Sequence, residues 1–465
     1  MCRSPALASR RLGPVPNAAK SSVAPIYLFA CLLLGGSAQG IWQNMFLQLT
    51  GLGIIAWAAS TGDDALPKTA RTLGLIFLAG LVVVAAQLIP VPPSVWAHGL
   101  RARLAEGYAL LGQPAPWLPV SLTPYASLNT LLGIIPPLAL FCAILRLGAF
   151  RASWLAAALL AGAVGGIMLG ALQVAAPGPT SPWYLYQETN RGVAVGFFAN
   201  ANHMADLLVV TLPFVAALAA AGRSRNVQRY SALLAVLAGA MMLLIMGIVL
   251  NRSLAGYVLA VPAIVASVLI VARPSRSLRV PMAIIGGLAL LAGIGALFST
   301  SVGSSRIGQE ASGSVQSRQQ ILHTTAKAIG DTMPLGSGLG SFLRVYRLYE
   351  SPDQVTPEYV IHAHNDYAEL TLELGFAGVL LILAFMAWWF TAARAGWRIG
   401  GGGPYARAAS IGSAVILVHS LVDFPLRTAA VGAAFAMCLA LMIDRRPVQR
   451  QDPADLRPAR HIVID

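Results

Sequence analysis

Charged side chains are scarce in this sequence. Only 11% of its 465 residues are Asp, Glu, Lys or Arg, whereas 57% are hydrophobic and the mean hydropathy is +0.69. Soluble globular domains carry about 25% charged residues. So few charges over this length exclude a soluble globular protein and predict a membrane protein that spans the bilayer several times.

Cysteine is rarer still, with four residues in the chain. Cys2 lies in the N-terminal tail, whereas Cys31, Cys142 and Cys438 lie in apolar runs. Their spacing fits neither a disulfide framework nor a zinc site. The sequence has no internal repeat. Its Gly-rich stretch PLGSGLGSF (334–342) lacks the Walker pattern and the strand-helix setting of a phosphate loop, so we do not expect nucleotide binding.

Long apolar runs make up most of the remaining sequence. About 20 apolar residues cross a bilayer, and such a segment must be helical because a helix satisfies its own backbone hydrogen bonds. The first run ends in the small residues GGSAQG, as a signal peptide does, but a second run follows almost at once, so we interpret the first as a retained span. We predict an all-α polytopic membrane protein with twelve transmembrane helices: 24–40, 43–60, 72–89, 127–145, 152–174, 203–221, 231–249, 254–272, 280–298, 368–391, 408–423 and 428–443.

Lys and Arg are distributed unevenly between the connections of these helices. With the N-terminus in the cytoplasm, 22 of the 32 Lys and Arg residues fall on the cytoplasmic side, and every short loop there is basic. This topology explains the net charge of +14 without a nucleic-acid partner. It predicts cytoplasmic tails at 1–23 and 444–465 and a transmembrane domain at 24–443. A large periplasmic loop, 299–367, would join the ninth and tenth helices.

A second long outer connection, residues 90–126, contains apolar side chains at helical spacing. Polar residues, among them His98, Arg101 and Glu106, lie opposite this stripe. A helix on the membrane surface and an ordinary helix packed within the loop both explain the pattern. The apolar residues of the stripe are Trp96, Leu100, Leu104, Tyr108 and Leu111.

Polar residues are concentrated in HAHNDYAELTLELG (362–375), where the large outer loop enters the tenth predicted helix. Glu369 and Glu373 are one turn apart and share a helical face. Polar groups at membrane depth are costly and usually face a cavity or a partner. His364, at the entrance, exchanges protons near neutral pH and is a candidate general base. The alternative is a histidine that only caps the helix or lies in the interface.

Three isolated arginines lie on the predicted outer side. Arg191 is in the 175–202 connection, Arg252 is in the very short connection LNRSLAGY, and Arg318 is in the large loop. A guanidinium offers a rigid fork of donors that suits phosphate oxygens. These residues are therefore candidates for binding an anionic group. The alternative is that they snorkel to the interface or pair with carboxylates.

Two more polar patterns occur at predicted outer helix ends. Asn202 and Asp206, in GFFANANHMADLL, are one turn apart, and so are His419 and Asp423, in LVHSLVDFPLR. We interpret them as a structural network or as the floor of a polar cavity, with structure favoured. Arg427 follows directly.

These motifs together resemble a known family. HAHNDYAELTLELGFAG, with nine residues between Asn365 and the Gly375-x-x-Gly378 pair, resembles the signature of the O-antigen ligase / O-antigen polymerase (Wzy-type) superfamily. The resemblance extends over roughly residues 185–430. Two features depart from the family pattern: Leu381 replaces a third glycine, and the arginine turn reads Asn-Arg-Ser rather than Ser-Arg-Gly. The other matching stretches are RQQILHTTAKAIGDTMPLGSGLGSFLRVY, GFFANANHMADLL, NRSLAG and HSLVDFPLR.

The resemblance implies a GT-C-like glycosyltransferase that works without a metal. Such an enzyme takes a glycan from an undecaprenyl-diphosphate carrier and transfers it to an acceptor hydroxyl at the periplasmic face. We predict an inverting reaction with His364 as general base, and no cofactor or metal. Arg252, Arg318 and, less centrally, Arg191 would bind the diphosphate or sugar. Three residues would support the site: Asn365, Glu369 and Asp423.

The resemblance leaves the acceptor open. Lipid A-core would make the protein a ligase and a second lipid-linked glycan would make it a polymerase, while a protein hydroxyl is a third option. The expected partners are these lipid-linked glycans and the lipids of a bacterial inner membrane, with no nucleic acid. The rival function is a secondary transporter of a polar or anionic solute. It is disfavoured because the polar groups cluster at the outer face, whereas transporter sites lie near the midplane between repeats.

Overall fold

The computed structural model describes residues 17–37, 41–61, 65–147, 151–272, 306–355, 360–398 and 401–443. These parts of the chain are mostly helical, with one two-residue antiparallel pair, β1 (Pro90–Val91) with β2 (Leu118–Pro119). The helices are α1 Asn17–Leu34, α2 Trp42–Thr61, α3 Lys68–Leu88, α4 Pro93–Trp96, α5 Ala102–Leu110, α6 Pro124–Gly133, α7 Ile135–Arg146, α8 Ala152–Ala175, α9 Ala201–Ala221, α10 Val227–Asn251, α11 Leu254–Ala272, α12 Arg306–Thr332, α13 Phe342–Tyr349, α14 Asp366–Trp397, α15 Pro404–His419 and α16 Ala429–Met442.

Several of these helices are suited to crossing a membrane. Within the described ranges, seven segments are long and apolar enough: α3, α6 with α7, α8, α9, α10, α11 and α14. Parts of α1 and α16 are apolar but shorter. An all-α, multi-pass membrane protein is thereby confirmed. The number twelve and the orientation stay predictions, because the predicted ninth span, 280–298, and most of both tails lie outside the described residues.

Several predicted spans differ in their bounds from the structure; the first, predicted at 24–40, is α1 at Asn17–Leu34. The segment predicted at 127–145 is divided into α6 and α7. Pro136 and Pro137 lie in the first turn of α7, and proline supplies no backbone N–H for a continuous helical ladder. The segment predicted at 408–423 ends as a helix at His419. The following residues, 420–428, form a connection that contributes several side chains to the candidate site.

The outer segment 90–126 also differs from one continuous amphipathic helix. It contains the short helix α4, a 3-10 turn at Gly99–Arg101, and α5. Trp96 at the end of α4 is buried, whereas Leu104 and Leu111 in and after α5 are exposed. The predicted stripe is therefore split: its first part packs into the protein and its second part does not.

Helix α9 forms the centre of the bundle. Nearly all of its side chains are buried, and it packs against α8, α10, α11 and α15. Small residues allow this close approach. At Gly256 of α11, for example, an added Cβ would lie 2.8 Å from the Cβ of Ala205. Polar side chains near the start of α9 are consequently enclosed by protein rather than exposed to lipid.

Helix α14 is kinked where the outer segments meet it. Gly375 has φ 61° and ψ −142° inside the helix, and an added Cβ would lie 2.2 Å from the carbonyl oxygen of Pro334. Gly336, with φ 76°, approaches the same turn, because its own Cβ would lie 2.5 Å from the carbonyl oxygen of Glu373. The backbone of the Gly-rich stretch (334–342) thus packs directly against the backbone of α14 at its kink.

Candidate active site

Ionisable side chains converge at the end of the bundle where α9 and α14 begin and α15 ends. The residues come from four separate parts of the chain, and the 420–428 connection lies among them. Most are fully or largely buried. The cluster has two centres, a carboxylate (Asp423) and a guanidinium (Arg427), each with several partners of opposite charge or polarity.

Asp423 is the first centre and is fully buried. Its Oδ1 lies 3.5 Å from Nδ1 of His364 and accepts a 2.8 Å hydrogen bond from the backbone N–H of Phe424. Its Oδ2 lies 3.3 Å from Nη2 of Arg318 and accepts a hydrogen bond from the side-chain amide of Asn202. One carboxylate group therefore connects a histidine, an arginine and the start of α9.

These contacts determine the charge of Asp423. Burial by itself raises the pKa of a carboxyl group, because it penalises the charged form. The imidazole of His364 and the guanidinium of Arg318 outweigh burial and hold the pKa of Asp423 well below its usual range. Asp423 is consequently an anion throughout the physiological pH range.

His364 has an unusual backbone conformation. Its φ of 49° lies in the left-handed region, which costs a non-glycine residue about 1–3 kcal/mol and is common at functional sites. The side chain is 25% exposed, and its ring meets the ring of Phe424 edge-on at 4.9 Å. Burial on one side and exposure on the other leave the imidazole accessible while its Nδ1 faces Asp423.

Asn365 holds this strained residue in place. Its side-chain oxygen accepts a 2.9 Å hydrogen bond from the backbone N–H of Ala368, which caps α14. Its side-chain nitrogen donates a 2.9 Å hydrogen bond to the carbonyl of Leu421. Asn365 thus ties the residue after His364 both to α14 and to the 420–428 connection.

Arg252 lies in the left-handed C-cap position of α10, with φ 57° and an exposed side chain. Its neighbours are fixed. Asn251 donates to the carbonyls of Ala194 and Ala201, and the Ser253 hydroxyl donates a 2.8 Å hydrogen bond to Oδ1 of Asn202. Because Asn202 also bonds to Asp423, the turn that carries Arg252 is anchored to the Asp423 cluster.

Arg191 makes its observed contacts within its own segment. Its guanidinium lies over the ring of Tyr184, 5.1 Å from the centroid, and donates a 3.4 Å hydrogen bond to the carbonyl of Gly178. The structure therefore groups His364, Arg318 and Asp423 in direct contact, whereas Arg252 joins them through its neighbours and Arg191 is bound elsewhere.

Arg427 is the second centre. Its Nη2 lies 3.2 Å from Oε1 of Glu369 and 3.6 Å from Oε2 of Glu373, and its Nε lies 3.5 Å from Oδ1 of Asp366. Burial would lower the pKa of Arg427, but the three carboxylates outweigh it and raise that pKa, so the guanidinium stays charged. The predicted pair Glu369 and Glu373 thus shares one cation.

Glu369 also fixes the loop before His364. Its Oε1 is 2.9 Å from Nδ1 of His362, and its Oε2 accepts a 2.8 Å hydrogen bond from the backbone N–H of Ala363. The ring of His362 rests against Phe424, with the centroids 4.4 Å apart. Glu369 and Arg427 therefore position the HAHN segment from one side, and Asp423 does so from the other.

Several participants are absent from the predicted site residues, among them Asn202, Asp366, Phe424 and Arg427. Spacing gave a partial signal, since the pairs Asn202/Asp206 and His419/Asp423 were expected to form a network. That network exists: Nδ1 of His419 is 2.7 Å from Oδ1 of Asp206, and its Nε2 is 3.8 Å from Oδ2 of Asp423.

In the part of the chain that the structure describes, no group of three or more His, Cys, Asp or Glu residues is arranged to hold a metal ion.

Fold and site define a multi-pass helical membrane protein with a buried ion-pair cluster at one end of its bundle. Residues 239–383, just under a third of the chain, match the family model described as O-antigen ligase. This confirms the resemblance to the O-antigen ligase superfamily and supports, in general terms, a function of the O-antigen ligase or polymerase type. The matched segment contains Arg252, Arg318 and His364. Comparison with curated proteins gave no match.

Proposed function

We propose that the protein is an inverting, metal-independent glycosyltransferase that moves a glycan from an undecaprenyl-diphosphate carrier to an acceptor hydroxyl. The observation that carries this proposal is the contact set of Asp423, which holds a partly exposed histidine and a partly exposed arginine on one buried carboxylate. A base and a cation side by side are what transfer from a diphosphate leaving group requires.

His364 is the general base of this proposal. Because its Nδ1 faces Asp423, Nε2 is the nitrogen that takes the proton of the acceptor hydroxyl. The acceptor oxygen attacks the anomeric carbon from the side opposite the carrier. The bond from that carbon to the diphosphate oxygen breaks, and its electron pair leaves with the carrier. Asp423 stabilises the imidazolium and keeps the ring orientation, as the carboxylate of a triad does.

The arginines stabilise the negative charge that develops on the diphosphate. Arg318 is held by Asp423 on one side and is 22% exposed. Arg252 is exposed on a fixed turn. Guanidinium donors stabilise phosphate oxygens through charge-assisted hydrogen bonds, and fixed donors at developing charge lower the barrier. Arg191 is proposed for the sugar or for the outer edge of the diphosphate site.

Asn365 and Glu369 are positioning residues in this scheme. Asn365 caps α14 directly after His364, and Glu369 binds the backbone N–H of Ala363 directly before it.

The acceptor is lipid A-core, a second lipid-linked glycan or a protein hydroxyl. The protein would lie in the inner membrane with domain 24–443 spanning it twelve times, both tails cytoplasmic and the 299–367 loop periplasmic.

The decisive experiment uses the full-length protein in proteoliposomes with lipid-linked glycan donor and acceptor. We expect His364→Ala to lower transfer at least about a hundredfold, because general base catalysis contributes about 10²–10⁴-fold. His323→Ala, on the exposed face of α12, is the matched control and keeps full activity. Full transfer by His364→Ala would remove this residue from the mechanism. Ion-gradient-driven solute uptake without any transfer would favour the rival transporter.

A further inference from the structure

A cavity lies between two segments that the sequence predicts on the outer side. One wall comes from residues 95–101 with 120–122, and the other comes from residues 331–337. Its volume is about 380 Å³, within the range of about 300–1,000 Å³ that is typical of small-molecule sites. It shares no lining residue with the Asp423 or Arg427 centres, so neither the fold nor the proposed chemistry accounts for it.

Hydrogen bonds to backbone carbonyls hold two large side chains of the first wall, Trp96 and Arg101. Trp96 is buried, and its indole N–H donates a 3.0 Å hydrogen bond to the carbonyl of Pro116. The guanidinium of Arg101 lies over the Trp96 ring, 5.9 Å from its centroid, and donates to the carbonyls of Pro119 and Ser121 at 2.6 and 3.0 Å. Hydrogen bonds therefore hold a bulky aromatic side chain and a cation in place beside the cavity.

Exposed polar side chains contribute to both walls of this cavity. His98 lies on the first wall and Asp331 on the second, and both are exposed. Oδ2 of Asp331 accepts a 2.8 Å hydrogen bond from the hydroxyl of Tyr349. A carboxylate has about four lone-pair positions, so Asp331 retains capacity to accept hydrogen bonds from a ligand. The cavity lining therefore combines apolar and polar side chains, and a sugar likewise carries both C–H groups and hydroxyls.

The cavity lies at the same end of the bundle as His364. Gln87, at the end of α3, donates hydrogen bonds of 2.8 Å to the carbonyl of Leu335 and 2.9 Å to that of Glu373. The backbone N–H of Ser337 donates a 3.0 Å bond to the carbonyl of Leu372. The second wall is thus bonded directly to α14, the helix that begins two residues after His364.

We infer that this cavity is a subsite for the glycan of one of the two substrates, binding sugar hydroxyls through the exposed side chains of Asp331 and His98. The inference rests on the proposed function, which supplies glycan substrates at this end of the bundle. A lipid tail is disfavoured because the walls are outer connections rather than apolar helix faces and carry an exposed carboxylate. The volume of the cavity suits a short glycan segment next to the reacting end of the substrate.

Steady-state kinetics of the full-length protein in proteoliposomes test the subsite. We expect Asp331→Asn to raise the apparent KM of one glycan substrate about tenfold or more with kcat unchanged, since hydrogen bonds to a charged group are among the stronger ones. Titrating the acceptor at fixed donor, and the donor at fixed acceptor, identifies which glycan occupies the cavity. Tyr349→Phe is the matched control, because it removes the internal partner of Asp331 but no lining residue.

Two outcomes of this experiment would overturn the inference. In one, Asp331→Asn leaves both KM values unchanged. In the other, Tyr349→Phe reproduces the effect of Asp331→Asn, which would make the pair a structural contact only. A rise in the KM of either substrate with a normal Tyr349→Phe variant supports the subsite.

A chemical-protection experiment tests the cavity without any transfer reaction. Met333→Cys places a thiol on the cavity wall, and Leu348→Cys places one on the exposed face of α13 outside it. The probe is the oligosaccharide released by mild acid from the lipid-linked glycans of the producing cells. We expect it to slow N-ethylmaleimide labelling at position 333, measured by mass spectrometry, and not at position 348. Equal labelling at 333 with and without the probe overturns the subsite. Protection without transfer activity counts against the proposed function and leaves the glycan site standing.

Discussion

Nδ1 of His364 lies 3.5 Å from Oδ1 of Asp423, although the two residues are 59 positions apart in the chain. The relationship depends on the 420–428 connection, which folds back over the start of α14 after α15 ends at His419. The same carboxylate binds Arg318 from α12. Asp423 therefore determines how the histidine and the arginine are placed relative to each other, and its removal affects both.

Asp423→Asn tests this relationship directly. The amide keeps the size of the side chain and one acceptor oxygen, but it removes the negative charge that stabilises the His364 imidazolium and pairs with Arg318. We expect glycan transfer in proteoliposomes to fall about a hundredfold or more. Thermal unfolding in detergent reports whether the variant is folded. Transfer within about twofold of wild type in a folded variant would show that this carboxylate is not needed.

The pH dependence of stability follows from the lowered pKa of Asp423. A carboxyl group whose folded-state pKa lies below its unfolded value near 3.8 stabilises the protein above that unfolded value, and the contribution is lost as the pH falls towards the folded pKa. We expect the Tm difference between wild type and Asp423→Asn to be constant from about pH 5 to pH 8. It should shrink below about pH 4, in scans of the detergent-solubilised proteins. A difference that grows on acidification would contradict the assignment.

Removal of Arg427 leaves three carboxylates without their shared cation. Breaking a buried ion pair by removing one partner costs about 3–5 kcal/mol, so Arg427→Met should lower the Tm strongly and reduce the yield of folded protein. Arg225→Met, on an exposed position before α10, is the control and should change the Tm little. Equal Tm values for the two variants would argue against Arg427 as a structural centre.

Gly375→Ala should disrupt the kink of α14. The left-handed φ strains any L side chain, and the new Cβ would lie 2.2 Å from the carbonyl oxygen of Pro334. The added strain is about 1–3 kcal/mol or more, and displacement of the Gly-rich stretch adds to it. Gly53→Ala in α2 is the control, since nothing lies within 4 Å of its added Cβ. Thermal stability and transfer are measured for both; a Gly375→Ala protein as stable as wild type would mean that the kink is not required.

Conservative replacements of Arg318 and Arg252 distinguish the donor geometry of each guanidinium from its charge. Arg318→Lys and Arg252→Lys keep the charge but lose the fork of donors that matches phosphate oxygens, so we expect transfer to drop about tenfold. The apparent KM of the lipid-linked donor should rise more than that of the acceptor. Arg229→Lys, exposed near the start of α10, serves as the control. If lysine supports normal transfer at 252 and 318, bidentate phosphate binding is excluded at these positions.

The sequence by itself determined the class of protein and the position of its signature. Apolar runs long enough to cross a bilayer require helices, because the bilayer offers no other partner for the backbone. Helical periodicity placed Glu369 and Glu373 on one face, and both reach Arg427. Glycine at 375 was visible as part of a motif, although the left-handed kink that needs it was not.

Tertiary structure decided which polar residues meet. Spacing along one helix relates residues a turn apart, but it carries no information about partners 59 or 105 positions away, such as His364 and Arg318 for Asp423. Those contacts depend on how α9, α12, α14 and α15 pack, and on where α15 ends. The same packing gave Arg427 its three carboxylates and placed the cavity beside Trp96. Buried charges must be paired, so the fold that encloses them also selects their partners.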